Sequence, residues 1–150
     1  MRAVQLRPVR PEDLDEHYAQ QADPAASGLA AVASRDRAAF DAHWARLLAD
    51  DTVVLRSVVA DGEVVGSALC FGEPQDRRVG YWIARRHWGR GLATEALGLL
   101  LAEVAERPLH ATVAVRNAAS VRVLERHGFV RVATTTGDDG VALHRYVLTS

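Results

Sequence analysis

The chain contains no lysine: all 18 of its basic residues are arginine. Lysine grips the phosphates in a P-loop and forms Schiff bases with carbonyl substrates, so both chemistries are excluded at once. Cysteine is nearly as scarce. The lone Cys70 cannot build an intramolecular disulfide framework or complete a thiolate metal site, and its apolar, strand-like neighbourhood marks it as a small buried hydrophobe. Six histidines, at positions 17, 43, 87, 110, 127 and 144, show neither HxxxH nor HExxH spacing, so no metal is expected. No apolar run approaches the roughly 18 residues of a membrane span. The polar opening MRAVQLRPVRPEDLDEHY lacks the apolar region of a secretory signal, so a cytoplasmic protein is expected. A net charge of −1 gives no general field for nucleic acid or an anionic membrane, and neither is expected as a partner.

What is present fits one domain over residues 1–150, with 49% hydrophobic and 25% charged residues. Val4 to Val9 reads as a strand, and Pro11, Glu12 and Asp13 then favour the first turn of a helix. Asp23 to Gly28 (DPAASG) reads as a loop, after which Ser34 is placed to cap a helix from about Arg35 to Leu48. Two β-branched runs flank Asp61-Gly62, a strong hairpin signal. Beyond a turn near Glu73 to Asp76, Arg78 to Ala84 forms another strand. A helix follows from about Leu92 to Glu106, with Leu92, Ala96, Leu99, Leu100 and Val104 as its apolar stripe and Pro108 as its stop. Leu109 to Val115 alternates as a strand, Ser120 to His127 is a short helix ended by Gly128, and two strands flank GDDG at 137–140. Hairpins on one side and helical crossovers on the other predict a mixed sheet of α/β (α+β) class.

The most informative stretch is WIARRHWGRGLATEA, residues 82–96, where a strand gives way to two glycines and then at once to a helix. The first amides of a helix have no internal partners, and Gly89, Gly91 and Ala93 are small enough to let an anion approach them. This is a plausible pyrophosphate cradle, with Arg85, Arg86 and Arg90 adding charge. Taken alone, the same residues also describe a simple turn with a solvated arginine edge. A Rossmann fingerprint is excluded because Thr94 stands where its third glycine belongs, and no GxSxG nucleophile elbow is present.

A second segment, RNAASVRVLERHGF at 116–129, lies one strand further on. Together the two segments resemble the GNAT superfamily of acyl-CoA-dependent N-acetyltransferases. Its phosphate motif, Q/RxxGxG/A, is similar to Trp88-Gly89-Arg90-Gly91-Leu92-Ala93, with Trp88 replacing the initial glutamine or arginine. HWGRGLATEA and the downstream set Asn117, Ser120, Leu124, Gly128 and Phe129 resemble the ribosomal-protein alanine acetyltransferase branch. The likeness runs from about Gly80 to Val130.

The resemblance implies a mostly antiparallel sheet of about seven strands, flanked by about four helices and splayed between strands 4 and 5. It also implies acetyl-CoA as acyl donor. The pantetheine arm would lie in the splay, its amides paired with the backbone of Trp82, Ile83 and Ala84, and its pyrophosphate would meet Gly89, Arg90, Gly91, Leu92, Ala93 and Thr94. Asn117 would face the arm or cap the helix behind it. The implied reaction is direct attack of a primary amine, on a protein N-terminus or a small molecule, within a ternary complex. Ser120 is the candidate donor to the departing thiolate, or else a helix cap; other GNAT members use a tyrosine where Leu124 stands. Glu73 and His110 are candidates for receiving the amine proton, against the alternatives of a solvated turn and a half-buried structural ring. His87 is expected on the loop surface, Phe40 and Trp44 in an acceptor pocket or the core, and Arg116 and Arg122 near the phosphates or on the surface. A homodimer is the default assembly. The rival reading is a non-catalytic acyl-CoA-binding or sensing domain.

Overall fold

The computed structural model describes residues 3–30 and 34–150. Seven strands form one sheet: β1 (Val4–Pro8), β2 (Val54–Ala60), β3 (Glu63–Phe71), β4 (Arg78–Ile83), β5 (Leu109–Ala114), β6 (Val130–Thr136) and β7 (Ala142–Leu148), in the order β1-β2-β3-β4-β5-β7-β6. Every neighbouring pair is antiparallel except β4 and β5, which run parallel. The β2–β3 hairpin turns through Asp61 and Gly62 with φ of 53° and 80°, the double left-handed conformation that a two-residue turn needs to match strand twist.

Five helices accompany the sheet, α1 (Leu14–Ala22), α2 (Pro24–Ala30), α3 (Arg37–Ala49), α4 (Leu92–Glu103) and α5 (Ala118–Arg126). The additional helix is α2, where DPAASG was expected to be loop. Asp23 begins it by accepting a hydrogen bond from the Ala25 amide at 3.0 Å, Pro24 suits the first turn, and open space around Gly28 removes any packing demand there. Helix α3 is capped by Asp36, not Ser34, because the Asp36 carboxylate reaches the Ala39 amide at 2.8 Å. Helix α4 ends at Glu103, three residues before the expected Glu106. The chain turns extended at Val104 and buries that side chain to 2% exposure.

The two faces of the sheet are packed by different chemistry. On one face α4 lays Leu92, Ala96, Leu97 and Leu100 over Val58, Val65, Ala68 and Ile83, all in a single apolar cluster that includes Cys70. Leu97 takes the inward place expected for Leu99, which is instead exposed. On the other side the contacts are polar and aromatic. Arg7 and Asp13 pair at 2.6 Å, Ser57 Oγ donates to Asp13 Oδ2 at 2.9 Å, and His17 Nε2 donates in turn to Ser57 Oγ at 2.9 Å. Trp44 stacks on His17 with ring centres 4.7 Å apart and leans on the buried Phe40. The Arg7 guanidinium holds the Asp13 carboxyl well below the usual carboxylate range, and burial pushes His17 down to about 4. Phe40 and Trp44 therefore belong to a satellite core. Among the described residues no helix is long and apolar enough to cross a membrane.

Candidate active site

β4 and β5 run parallel, joined through α4, and they part over most of their length. They share one ladder position, Arg78 opposite His110, closed by the His110 amide donating to Arg77 O at 2.8 Å. Beyond that vertex the strands separate, and β5 goes on pairing with β7 through Ala114. The gap leaves β4 with an unpaired edge. Strand alternation decides which groups face it: the Ala84 amide donates to Val65 O on β3 at 2.8 Å, so Ala84 and Trp82 turn their backbone toward β3. Tyr81 and Ile83 turn theirs toward the gap. Of the expected trio Trp82, Ile83 and Ala84, only Ile83 offers gap-facing backbone, and its carbonyl already accepts the Trp88 indole N–H at 2.8 Å.

The chain leaves β4 through a 3-10 turn at Arg85–His87 and reaches α4 through Gly89 and Gly91, with φ of 79° and 74°. Both values lie in the left-handed region that a side chain would strain, which accounts for the two glycines. Gly91 is the N-cap residue of α4, and no side chain caps it. Among the described residues no acceptor meets the amides of Gly91, Leu92, Ala93 or Thr94. These N–H groups, with the positive end of the helix dipole behind them, make a cradle of a shape and polarity suited to an anion.

Cradle and gap open onto a single cleft of about 520 Å³, walled by β4, the Trp88–Thr94 segment, α5 and two residues of α2, Ala26 and Leu29. Trp82, Ile83, Trp88, Gly89, Gly91, Leu92, Ala93, Thr94, Asn117 and Ser120 all line it. Ala84 and the Arg90 side chain lie outside this lining. Arg90 instead bonds His87 Nδ1 at 2.8 Å and comes within 3.9 Å of Asp61. The arginines before the glycines are engaged elsewhere as well, Arg85 with Asp23 at 2.8 Å and Arg86 with Glu63 at 2.9 Å. Positive charge reaches the cleft from α5 through Arg122 and Arg126, while Arg116 donates to the Gly28 carbonyl. Arg126 carried no weight in the sequence; its signal was the four-residue step from Arg122, one turn of helix.

His87, expected on the loop surface, is 7% exposed and lines the cleft, because the tight 3-10 turn folds its ring inward against Arg90. Asn117 caps α5 by accepting the Ser120 amide at 3.3 Å, and it also faces the cleft. Ser120 Oγ lies 2.6 Å from the hydroxyl of Tyr81, which approaches from the other side of the gap. Tyr81 had no assigned role in the sequence pattern. Leu124, at the family's tyrosine position, is buried in the core at 1% exposure. Glu73 is exposed at the start of the Pro74–Asp76 turn, and His110 sits at the vertex with Nδ1 buried and without a hydrogen-bond partner; neither lines the cleft. Among the described residues no three His, Cys, Asp or Glu side chains gather as metal ligands.

The arrangement suits an elongated ligand with an anionic head and an amide-bearing tail. Comparison with known proteins bears on that chemistry. No curated protein matches the chain by sequence. Solved structures do match the fold: the ribosomal L7/L12 alpha-N-protein acetyltransferase RimL in complex with coenzyme A has a TM-score of 0.83 at 15% identity, covering 97% of this chain and 93% of that one. A spermidine N-acetyltransferase from Vibrio cholerae in complex with CoA and spermine gives 0.82 at 17% identity, with 97% and 95% covered. The aminoglycoside acetyltransferase AAC(6')-Ib in complex with coenzyme A and kanamycin gives 0.80 at 22% identity, with 98% and 95% covered. The family model for the acetyltransferase (GNAT) domain matches residues 3–130, which takes in β1 through the splayed pair, the cradle and α5. With the gap, the uncapped helix and this match in agreement, the chain belongs to the GNAT acetyltransferase family.

Proposed function

We propose that residues 1–150 form a single acetyl-CoA-dependent N-acetyltransferase domain acting on a primary amine. The observation that carries this reading is one cleft that joins four unmet amides at the start of α4 to the unpaired edge of β4. Bound acetyl-CoA would supply a thioester carbonyl for the amine: the C–N bond forms, the C–S bond breaks, and the electron pair leaves on sulfur.

The chain's own groups then have separable tasks. The amides of Gly91 to Thr94 hold the pyrophosphate, with Arg122 and Arg126 adding charge from α5. Gap-facing backbone at Tyr81 and Ile83 pairs with the pantetheine amides as a neighbouring strand would, and Asn117 faces the arm from α5. Holding both reactants in line supplies much of the rate, ~7 to 11 kcal/mol for well-oriented groups. Ser120 donates a hydrogen bond toward the departing sulfur. His110, at the vertex of the splay, and Glu73, on the turn before β4, are the candidates to receive the amine proton through water. Fold relatives whose complexes contain kanamycin and spermine support a small-amine acceptor, and the RimL likeness supports a protein N-terminus.

The experiment is thiol release from acetyl-CoA in the presence of an amine panel: peptides with different first residues, polyamines, aminoglycosides and free amino acids. Amine-dependent release identifies an enzyme and its acceptor class. Tight acetyl-CoA binding with no release for any amine would replace this reading with the acyl-CoA sensing domain.

A further inference from the structure

A serine hydroxyl is a weak hydrogen-bond donor, and nothing in its side chain fixes where the hydrogen points. The neighbourhood of Ser120 supplies what is lacking. The Tyr81 hydroxyl lies 2.6 Å from Ser120 Oγ and 3.3 Å from the Ser120 carbonyl. The first distance is at the short end for O–H···O bonds and the second is beyond their usual range, so the phenol hydrogen belongs on the bond to Oγ. Acidity points the same way, since a phenol gives up its hydrogen more readily than an alkyl hydroxyl and is the better donor of the two. With Oγ accepting from Tyr81, the serine's own hydrogen is directed elsewhere, and Ser120 lines the cleft.

We propose that Tyr81 is a positioning residue for Ser120, its phenol donating to Oγ and so turning the serine hydrogen into the cleft toward the departing sulfur. The inference rests on the reading of Ser120 as that donor. Both partners are held in place. Tyr81 is fixed in β4 opposite Ala68 and packed against the apolar cluster, while Asn117 secures the first turn of α5 through the Ser120 amide. Burial pushes the Tyr81 phenol up to about 12, so it keeps its hydrogen throughout the neutral and mildly alkaline range. No proton needs to leave the tyrosine: it polarises the serine, the sulfur accepts a hydrogen bond, and the amine's proton leaves separately by way of water. A phenol is thus brought to Ser120 from the facing strand, although position 124 carries leucine.

The test begins with the free protein. Proton NMR should reveal a slowly exchanging hydroxyl hydrogen with cross-relaxation to the Tyr81 ring edge, lost in Tyr81→Phe and shifted in Ser120→Ala. A hydrogen that cross-relaxes only with the Ser120 methylene would mean that the serine donates to the tyrosine, and would overturn the proposal. Kinetics then follow. Ser120→Ala should lower kcat by about 100-fold and Tyr81→Phe by about tenfold, with KM for acetyl-CoA within about twofold and the second change adding little to the first. An unchanged kcat in Ser120→Ala would remove the donor reading itself. A fall in Ser120→Ala with none in Tyr81→Phe, or fully additive losses, would overturn the tyrosine's role alone. If Tyr81→Phe folds poorly, a site-specific fluorotyrosine at 81 keeps the shape while making the phenol more acidic. Its kcat should rise or hold with a downfield-shifted hydroxyl hydrogen, and a tenfold loss would overturn the proposal.

Discussion

Helices α4 and α5 both begin at the rim of the cleft, and they begin in opposite ways. Helix α5 starts on Asn117, whose side chain meets the Ser120 amide, whereas α4 starts on Gly91, which has no side chain with which to meet anything. A glycine in place of a capping side chain costs a helix only about a few tenths of a kcal/mol, so the open start gives up little of the stability that the chain takes at α5 and, through Asp36, at α3. An uncapped N-terminus facing a cleft is the arrangement of a binding site. A capped one is the arrangement of a platform, and α5 uses it to hold Ser120 steady.

That contrast can be broken by filling the open end. Gly91→Glu should lower acetyl-CoA affinity by on the order of 1,000-fold, because a like charge set against phosphate costs several kcal/mol. Calorimetry reading an affinity close to the parent's would remove the cradle from this helix.

Acid separates the cleft from the α1 side of the sheet. His17 stays neutral in the fold down to about 4, whereas its ordinary value is 6.5, so between these the unfolded chain binds more protons. Stability contributed there is complete above 6.5 and is lost as pH falls toward 4, by on the order of 3 kcal/mol. Asp13 acts in the same direction at lower pH, since its depressed value also favours the fold only while it is ionised. Urea midpoints measured from pH 7 to 4 should therefore decline, and a flat profile would contradict the buried network.

The smaller effects sharpen the comparison of helix starts. Asn117→Ala should cost about 1 kcal/mol in thermal unfolding and also lower kcat by loosening the turn that carries Ser120. Asp36→Ala, at an exposed cap remote from the cleft, should cost up to about 1 kcal/mol and leave acetyl-CoA affinity unchanged. Equal kinetic damage from both variants would mean that the α5 cap has no special connection with the cleft.

Most of the strand order was legible because each strand carries its own local signal: β-branched runs around Asp61-Gly62, alternation at Leu109 to Val115, and the GDDG turn. The glycine-led start of α4 was legible for the same reason, as a GxG at a strand-to-helix junction concerns only neighbouring residues. Helix α2 was missed because proline, serine and glycine in DPAASG satisfy loop and helix alike, and only the Asp23 contact decides between them. Tyr81 was missed because its partner lies 39 residues away, and no spacing within either segment encodes a meeting across the gap. The inward turn of His87 and the diversion of Arg85 and Arg86 into ion pairs with Asp23 and Glu63 are likewise products of folding at a distance.

Trp88 stands where the family motif has glutamine or arginine, and its indole N–H is already spent on the Ile83 carbonyl. A guest laid along β4 as a makeshift strand finds its last rung occupied there. The ring, 42% exposed, stands at the end of that edge and would limit how far such pairing could run. The register of a guest on that edge would then be set by the position of one indole ring.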